Sequence, residues 1–300
     1  TAGLQFVTLA EQPLTVLIAR NAELVYNANR YARLSPRAAG VVLDAPRDLG
    51  DPVVAGDVVA WVDSAELGSA NADLLHAAAG VQLWKRSAER KRSLAERGID
   101  SESDALEAET KLAEAEINRA RAKQRLRNLG LSESDIASTE QAEDTSSHLK
   151  VAAPFEGVVV ERSAVLGDVV EPSDVLFAVA DTRSMWAMID LYESDVPIVA
   201  VGQEVTLALE GIPGGTVSGT ITWISTQLDA STRTLKARAE IANADGLLRA
   251  NSFGRLQISV KRSEHSLVVP KDAVQWDGCC NLVFVKSNEE GTAFQPKKVH

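Results

Sequence analysis

Hydrophobic and polar positions follow two different periods along this 300-residue chain. Alternating valines broken by Gly-Asp turns, which are typical of β-strands, run through residues 31–63 and 149–182. From Ser64 to Leu129 the apolar positions instead recur every three or four residues, with charged residues between them. The pattern therefore predicts a mostly β protein interrupted by one long helical segment.

The strand pattern before the helical segment is repeated after it. The two copies begin at Gly40-Val41-Val42 and Gly157-Val158-Val159, 117 residues apart, and each continues through a Leu-Gly-Asp turn. An internal repeat constrains architecture more strongly than a local motif does. Neither copy has enough apolar residues to bury a face alone. We therefore expect the halves to pair into one sandwich that would survive deletion of residues 69–144.

The helical segment has the pattern of two arms that pack against each other. Its seam positions follow steps of three and four residues, with Arg119 as the one break in the second arm: Leu67, Ala70, Leu74, Ala77, Val81, Trp84 and Ala88 in the first arm, and Ala105, Ala108, Leu112, Ala115, Ala122, Leu126 and Leu129 in the second. This heptad spacing predicts an antiparallel coiled-coil hairpin. Gly98 is suited to end the first arm and Ser101, or Asp100, to cap the second, which places the turn between them.

The charge and the motif content of the chain argue against several classes of function. The net charge of −11 argues against a nucleic-acid partner, which needs a basic face, and against docking to an anionic membrane. The sequence contains no HExxH, GxSxG, Walker or dinucleotide motif, and its four histidines are scattered, so we expect no enzymatic activity. Because the chain begins at Thr1 without a Met, we expect that an export signal or membrane anchor precedes it.

The only two cysteines, Cys279 and Cys280, are adjacent. Adjacent cysteines rarely bridge each other because the geometry is strained. They could bind a soft metal, but their strand-like surroundings favour a buried pair of thiols.

The order of half-repeat, helical hairpin and half-repeat resembles the periplasmic adaptors, or membrane fusion proteins, of RND tripartite efflux pumps. The hairpin tip of that family carries a recurring Arg-x3-Leu-x6-Ser pattern, and Arg90, Leu94 and Ser101 have this spacing across the predicted turn. Three stretches resemble the heavy-metal (Czc/Cus-type) branch: Asp63-Ser64-Ala65-Glu66-Leu67, Thr232-Arg233-Thr234 and Leu267-Val268-Val269-Pro270. The resemblance covers essentially the whole chain and departs at residues 249–253, where the family often has a Pro-Gly-Met run.

The resemblance implies an elongated multi-module fold, mostly β with an α-helical coiled-coil hairpin. The modules expected from it are listed here: a membrane-proximal β module (1–30 with 263–300), a split lipoyl-like sandwich (31–63 with 149–182), the α-helical hairpin (64–148) and a β-barrel (183–262). Five or six strand-like runs within the last range agree with a small barrel.

The resemblance also implies a periplasmic adaptor that links an inner-membrane RND transporter to an outer-membrane channel. Arg90, Leu94 and Ser101 would dock on the channel, and six copies would form a ring in the assembled pump. The exported substrate would be heavy-metal cations, either Zn, Co and Cd or Cu and Ag. Two alternatives stay open: an adaptor of a multidrug RND pump, and a lipoyl or biotinyl carrier. The carrier would need a lysine at the junction of the half-repeats, where this chain has its helical insertion.

Glu264 and His265 are the candidate metal ligands, because a carboxylate and an imidazole can together hold Zn²⁺. We expect them in a polar loop between the barrel and the terminal module, with a third ligand from elsewhere in the fold. No permanent cofactor is predicted, and transient Zn²⁺ or another transition-metal ion is the candidate ligand.

Overall fold

The computed structural model describes residues 5–209, 215–288 and 293–299, apart from the side chain of Glu264. The strands are β1 (Glu11–Tyr26), β2 (Tyr31–Leu34), β3 (Gly40–Asp44), β4 (Pro52–Val53), β5 (Val58–Asp63), β6 (His148–Ala152), β7 (Gly157–Arg162), β8 (Val169–Val170), β9 (Phe177–Ala180), β10 (Ser184–Tyr192), β11 (Glu204–Ala208), β12 (Thr216–Asp229), β13 (Thr234–Ala242), β14 (Phe253–Leu267), β15 (Gln275–Trp276), β16 (Asn281–Lys286) and β17 (Phe294–Val299). The α-helices are α1 (Ala65–Glu96), α2 (Glu102–Asn128) and α3 (Glu133–Ala142). The chain divides into two compact units, a hairpin unit (Tyr26–Ser184) and a barrel unit (Thr1–Val25 with Met185–His300).

The two half-repeats interleave within the hairpin unit. One sheet has the order β2-β9-β7-β4 and the other β6-β5-β3-β8, so each sheet takes two strands from each half. The turn contacts are reciprocal: the Gly50 N–H donates to the Val159 carbonyl oxygen, and the Gly167 N–H donates to that of Val42, both at 2.9 Å. The prediction that the halves form one sandwich is confirmed.

Glycine is required at the equivalent positions Gly40 and Gly157, because a neighbouring strand backbone comes very close to each. A Cβ atom at Gly157 would lie 2.6 Å from the carbonyl oxygen of Ala180, and one at Gly40 would overlap that of Asp63. Only a residue without a side chain allows this approach. The repeat therefore retains glycine in both copies for the same steric reason.

The insertion between β5 and β6 is the predicted antiparallel hairpin. α1 has 32 residues, which is about 48 Å of helix, and α2 has 27. Leu67, Ala70, Leu74 and Ala88 are buried on α1, and Ala105, Ala108, Ala115 and Leu126 on α2. Each of these residues belongs to the predicted seam. Near mid-length the seam is half-buried, and there the Lys111 ammonium lies 5.0 Å from the ring centre of Trp84.

A third helix, α3, lies within the range that the sequence analysis assigned to the hairpin alone. A capping box starts it: the Asp135 N–H donates to Ser132 Oγ at 3.2 Å, and the Ser132 N–H donates to Asp135 Oδ2 at 2.9 Å. Ile136 is fully buried on its inner face. The Glu140 carboxylate accepts hydrogen bonds from Arg119 and Lys123, which ties α3 to α2.

The hydrophobic core runs continuously from the sandwich into the base of the hairpin. Leu74, Leu126 and Ile136, from the three helices, belong to the same buried cluster as Val59 and Phe177 of the strands. Deleting residues 69–144 would remove these three residues together with Ala70 and Leu129 and expose the sandwich side of the cluster. The expectation that the sandwich survives this deletion is therefore revised.

Acid is expected to weaken the attachment of α3. Hydrogen bonds from Arg119 lower the pKa of Glu140 from 4.5 to about 2. Since the folded-state pKa is the lower one, this stabilisation is complete above pH 4.5 and is lost as the pH falls from there towards about 2. Glu140→Gln should lower the thermal midpoint of unfolding at neutral pH, because the ion pairs are lost. The midpoint of the variant should also fall less than that of the wild type as the pH is lowered. Both midpoints are measured by the helical circular dichroism signal. Parallel pH profiles in the variant and the wild type would contradict this.

The barrel unit contains a closed six-stranded barrel with the order β1-β10-β13-β12-β11-β14. Residues 11–25 were assigned to the membrane-proximal module, but the structure has them in β1, antiparallel to β14 with Glu11 opposite Leu267. Ala22 and Leu24 of β1 are buried, so the strand contributes to the barrel interior.

A separate three-stranded antiparallel sheet follows the barrel in sequence and consists of β15, β16 and β17. No α-helix among the described residues has the length and apolarity needed to cross a membrane.

Candidate functional site

The tip of the hairpin is held by backbone hydrogen bonds at the end of α1. The Gly98 N–H donates to the Ala95 carbonyl oxygen at 2.9 Å, and the Ile99 N–H donates to that of Leu94 at 3.0 Å. These two bonds, with Gly98 at φ 68°, form a Schellman motif. The motif turns the chain sharply within three residues, because glycine adopts this left-handed conformation without strain.

The start of α2 completes the tip. Ser101 Oγ accepts a hydrogen bond from the Asp104 N–H at 3.2 Å, so the predicted N-cap is confirmed. Glu102 and Asp104 in the first turn favour the positive end of the helix dipole. Asp100 Oδ1 accepts from the Ser101 N–H at 3.0 Å. Local polar contacts therefore hold the tip in one conformation.

The three predicted docking residues lie at this end of the hairpin in different environments. Arg90 is exposed, and across the part of the chain that the structure describes no ion pair involves it. Leu94 is half-buried, and its carbonyl oxygen serves the Schellman motif. Ser101 is exposed, but its hydroxyl is already engaged as the cap. Arg90 is thus the member of the set that is best placed to contact a partner.

Arg92, two residues further along α1, differs from Arg90 in its contacts. Its guanidinium lies 3.0 Å from Glu109 Oε1 on α2 and 3.9 Å from Glu96 Oε1. Arg92 therefore joins the two arms, while the charge of Arg90 remains available.

Ile99 is a tip residue that the motif does not include. It follows the turn glycine and is 71% exposed. An apolar residue directly after the glycine of a Schellman motif commonly packs against the helix, whereas this isoleucine remains mostly in solvent. Its place directly after Gly98 was the signal present in the sequence. The tip consequently presents an apolar side chain, Ile99, together with the exposed cationic residues Arg90 and Arg97.

The predicted metal ligands lie on a strand rather than in a loop. β14 continues through both positions and pairs with β1, with Gln12 opposite Ser266. His265 is exposed, and its Nδ1 lies 3.1 Å from Glu11 Oε2. The side chain of Glu264 is outside the described residues. Glu11 is an acidic neighbour that sequence reasoning missed, because it belongs to a strand about 250 residues away.

No cluster of three or more His, Cys, Asp or Glu residues suited to a metal ion occurs among the described residues. Zn²⁺ prefers four ligands, and the described residues at this position supply two, Glu11 and His265. The arrangement fits a weak, open coordination site that other ligands would have to complete.

Comparisons with known proteins agree with the fold of both units. Residues 30–181 match the family model of the CzcB-like barrel-sandwich hybrid domain, and residues 184–262 match that of the CusB-like β-barrel domain. The chain is 30% identical over 277 residues to the cobalt-zinc-cadmium resistance protein CzcB of Cupriavidus metallidurans, covering 92% of this chain and 51% of that protein. It is 26% identical over 297 residues to the cation efflux system protein CusB of Escherichia coli K12, covering 99% of this chain and 65% of that protein.

Two solved structures have a fold similar to that of this chain. The crystal structure of ZneB from Cupriavidus metallidurans is similar at 28% identity and a TM-score of 0.56, over 82% of this chain and 98% of that one. A MacA-MexA chimera that contains the MexA α-hairpin domain of Pseudomonas aeruginosa shares the fold, with a TM-score of 0.67 at 16% identity over 87% of each chain.

The chain spans about half the length of its CzcB relative. The matched sandwich domain alone covers half of this chain. On this basis the chain belongs to the CzcB-like family of membrane fusion proteins.

Proposed function

We propose that this chain is the periplasmic portion of an adaptor that links an inner-membrane RND transporter to an outer-membrane channel, for the efflux of heavy-metal cations. The observation that carries the proposal is the tip, where a coiled-coil hairpin presents Arg90, which is exposed and has no ion pair among the described residues, and an exposed Ile99 just after the turn glycine. Such a surface is suited to contact with another protein. The cation specificity rests on relatives named for cobalt-zinc-cadmium resistance and for cation efflux.

The proposed role is mechanical and steric. Leu74 and Leu126 anchor the base of the hairpin in the sandwich core, so the position of the tip follows that of the sandwich. A guanidinium at the tip can bind the free carbonyl groups at the C-terminal end of a partner helix, where the helix dipole is negative. Arg90 would make this contact with the channel.

Self-association into a ring, with six copies in the assembled pump, is part of the proposal. An exposed apolar surface on the sandwich supports it. Val41 of β3 and Val169 of β8 are paired strand neighbours and are 37% and 78% exposed, and Val165 and Leu166 in the adjoining turn are 57% and 70% exposed. Exposed apolar surfaces of this kind mark protein contacts.

Growth assays test the function. In a strain that lacks this adaptor, expression of the full protein should restore growth in salts of Zn²⁺, Co²⁺ and Cd²⁺, or of Cu⁺ and Ag⁺, and leave sensitivity to organic drugs unchanged. Restoration of drug resistance alone would favour the multidrug alternative. Restoration of neither, in a strain that retains the pump and the channel, would contradict the adaptor proposal.

Metal binding at the end of β14 is a separate proposal. We expect a micromolar dissociation constant for Zn²⁺, about −8 kcal/mol, since few ligands converge and a transported cation must be released. His265→Ala should abolish the heat of Zn²⁺ binding in titration calorimetry, and His76→Ala, an exposed histidine on α1, should not. Equal affinity in wild type and His265→Ala would remove His265 from the site.

A further inference from the structure

The two cysteines lie at an exposed turn, which differs from the buried pair expected from the sequence. The hairpin of β15 and β16 closes with Trp276 opposite Asn281, and the four residues from Asp277 to Cys280 connect the strands. Gly278 has a φ of 75°, and the Asp277 N–H donates to the Cys280 carbonyl oxygen at 3.2 Å. Both thiols are free, with Cys279 exposed and Cys280 half-buried.

The turn brings the two sulfur atoms together. Adjacent residues in an extended strand point to opposite faces, so their thiols would diverge there. In this turn the two Sγ atoms lie 2.9 Å apart. A disulfide requires a separation of about 2.0 Å, so these are two thiols in contact rather than a bond. The pair has the geometry of a chelating dithiol on the surface of the protein.

The distance between the two sulfur atoms favours some coordination geometries of thiophilic ions over others. With ion–sulfur bonds of about 2.3 Å, a linear two-coordinate ion would need sulfur atoms about 4.6 Å apart. The close approach of the two sulfur atoms, 2.9 Å, instead suits a pyramidal centre, whose sulfur ligands lie near a right angle to each other. Among the described residues no third His, Cys, Asp or Glu completes a metal cluster with the pair, which disfavours Zn²⁺ and its four ligands.

We propose that Cys279 and Cys280 form a dithiol binding site for trivalent arsenic compounds, in which arsenic bonds to both sulfur atoms and keeps its third substituent outside the protein. This site is independent of the docking role of the hairpin. It lies in the barrel unit and uses no residue of the tip.

The reaction with an organic arsenoxide balances without an oxidant. The hydrogen bond with Cys279 raises the pKa of Cys280, which favours the protonated form of that thiol. Two sulfur–arsenic bonds form, the arsenic–oxygen bond breaks, and the oxygen leaves as water with both thiol protons. Arsenic remains trivalent throughout.

Phenylarsine oxide is the probe that tests the site. The reduced full chain should bind one equivalent, and its two reactive thiols should disappear from a thiol titration. Cys279→Ser and Cys280→Ser should each bind at least about 100-fold more weakly, because a single thiol loses the advantage of an intramolecular second bond. Wild-type protein with both thiols blocked by N-ethylmaleimide should not bind, and this control involves no substitution.

Two results would overturn the proposal. One is a wild-type chain that keeps both thiols reactive with an equimolar amount of the probe. The other is a single-serine variant that binds as tightly as the wild type. Since both residues lie in an exposed turn, the variants should retain the thermal midpoint of the wild type, which verifies that they are folded.

Discussion

Arg90→Glu is expected to abolish metal resistance in cells while leaving the protein as stable as the wild type. The side chain is exposed and forms no ion pair among the described residues, so the change should shift the free energy of unfolding by less than about 0.5 kcal/mol. At the C-terminal end of a partner helix, where the helix dipole is negative, the substitution would however replace an attraction by a repulsion. Resistance is measured by growth in metal salts, and binding by pull-down of the channel with the full adaptor.

Arg92→Glu is the matched control. It reverses the same charge two residues away, but Arg92 already pairs with Glu109 and Glu96 within the hairpin. These pairs are exposed, so their loss should cost at most about 1 kcal/mol and leave resistance intact. Equal loss of resistance in both variants would assign the effect to the overall charge of the tip. Full resistance with Arg90→Glu would remove Arg90 from the interface.

The apolar contact at the tip is better tested at Ile99 than at Leu94. Leu94→Asp would introduce a charge at a half-buried position and would lower stability as well as docking. Ile99→Asp changes a side chain that is 71% exposed. A loss of docking in that variant would therefore reflect the contact itself.

Leu126→Ala is expected to destabilise the hairpin unit by about 2–5 kcal/mol, because it opens a cavity where the helices meet the sandwich. Leu126 is fully buried in the shared core. All three α-helices belong to this unit, so urea unfolding followed by the helical circular dichroism signal reports on it.

Ile117→Ala is the control on the same helix. Ile117 is 67% exposed, so its truncation should change the free energy of unfolding by less than about 0.5 kcal/mol. If both variants unfolded at the same urea concentration, the base of the hairpin would not be part of a common core with the strands.

The repeat and the hairpin seam could be predicted from the sequence because both are periodic and local. The equivalent glycines and the heptad spacing of Leu67 to Ala88 need no knowledge of the rest of the fold. α3 was not predicted because it is a short, polar helix of ten residues, although the capping-box residues Ser132 and Asp135 marked its start. Its stability comes from Ile136 in a core that forms only after folding.

The other differences arise from contacts distant in sequence. β1 was assigned to the terminal module because its partner, β14, lies about 240 residues away. A similarly long separation in sequence explains why the contact between Glu11 and His265 was not predicted. The cysteine pair was misjudged because apolar neighbours suggested a strand, whereas Gly278 introduces a turn just before it.

The place where the hairpin leaves the sandwich makes its length adjustable. Asp63 at the end of β5 is paired with His148 at the start of β6, so the chain departs and returns on neighbouring strands about 4.8 Å apart. Adding or removing one heptad in both arms would move the tip by about 10 Å and preserve the seam. In the proposed adaptor role, changes confined to the middle of the arms would thus match the hairpin to gaps of different width between two partners, while the sandwich and the tip stay the same.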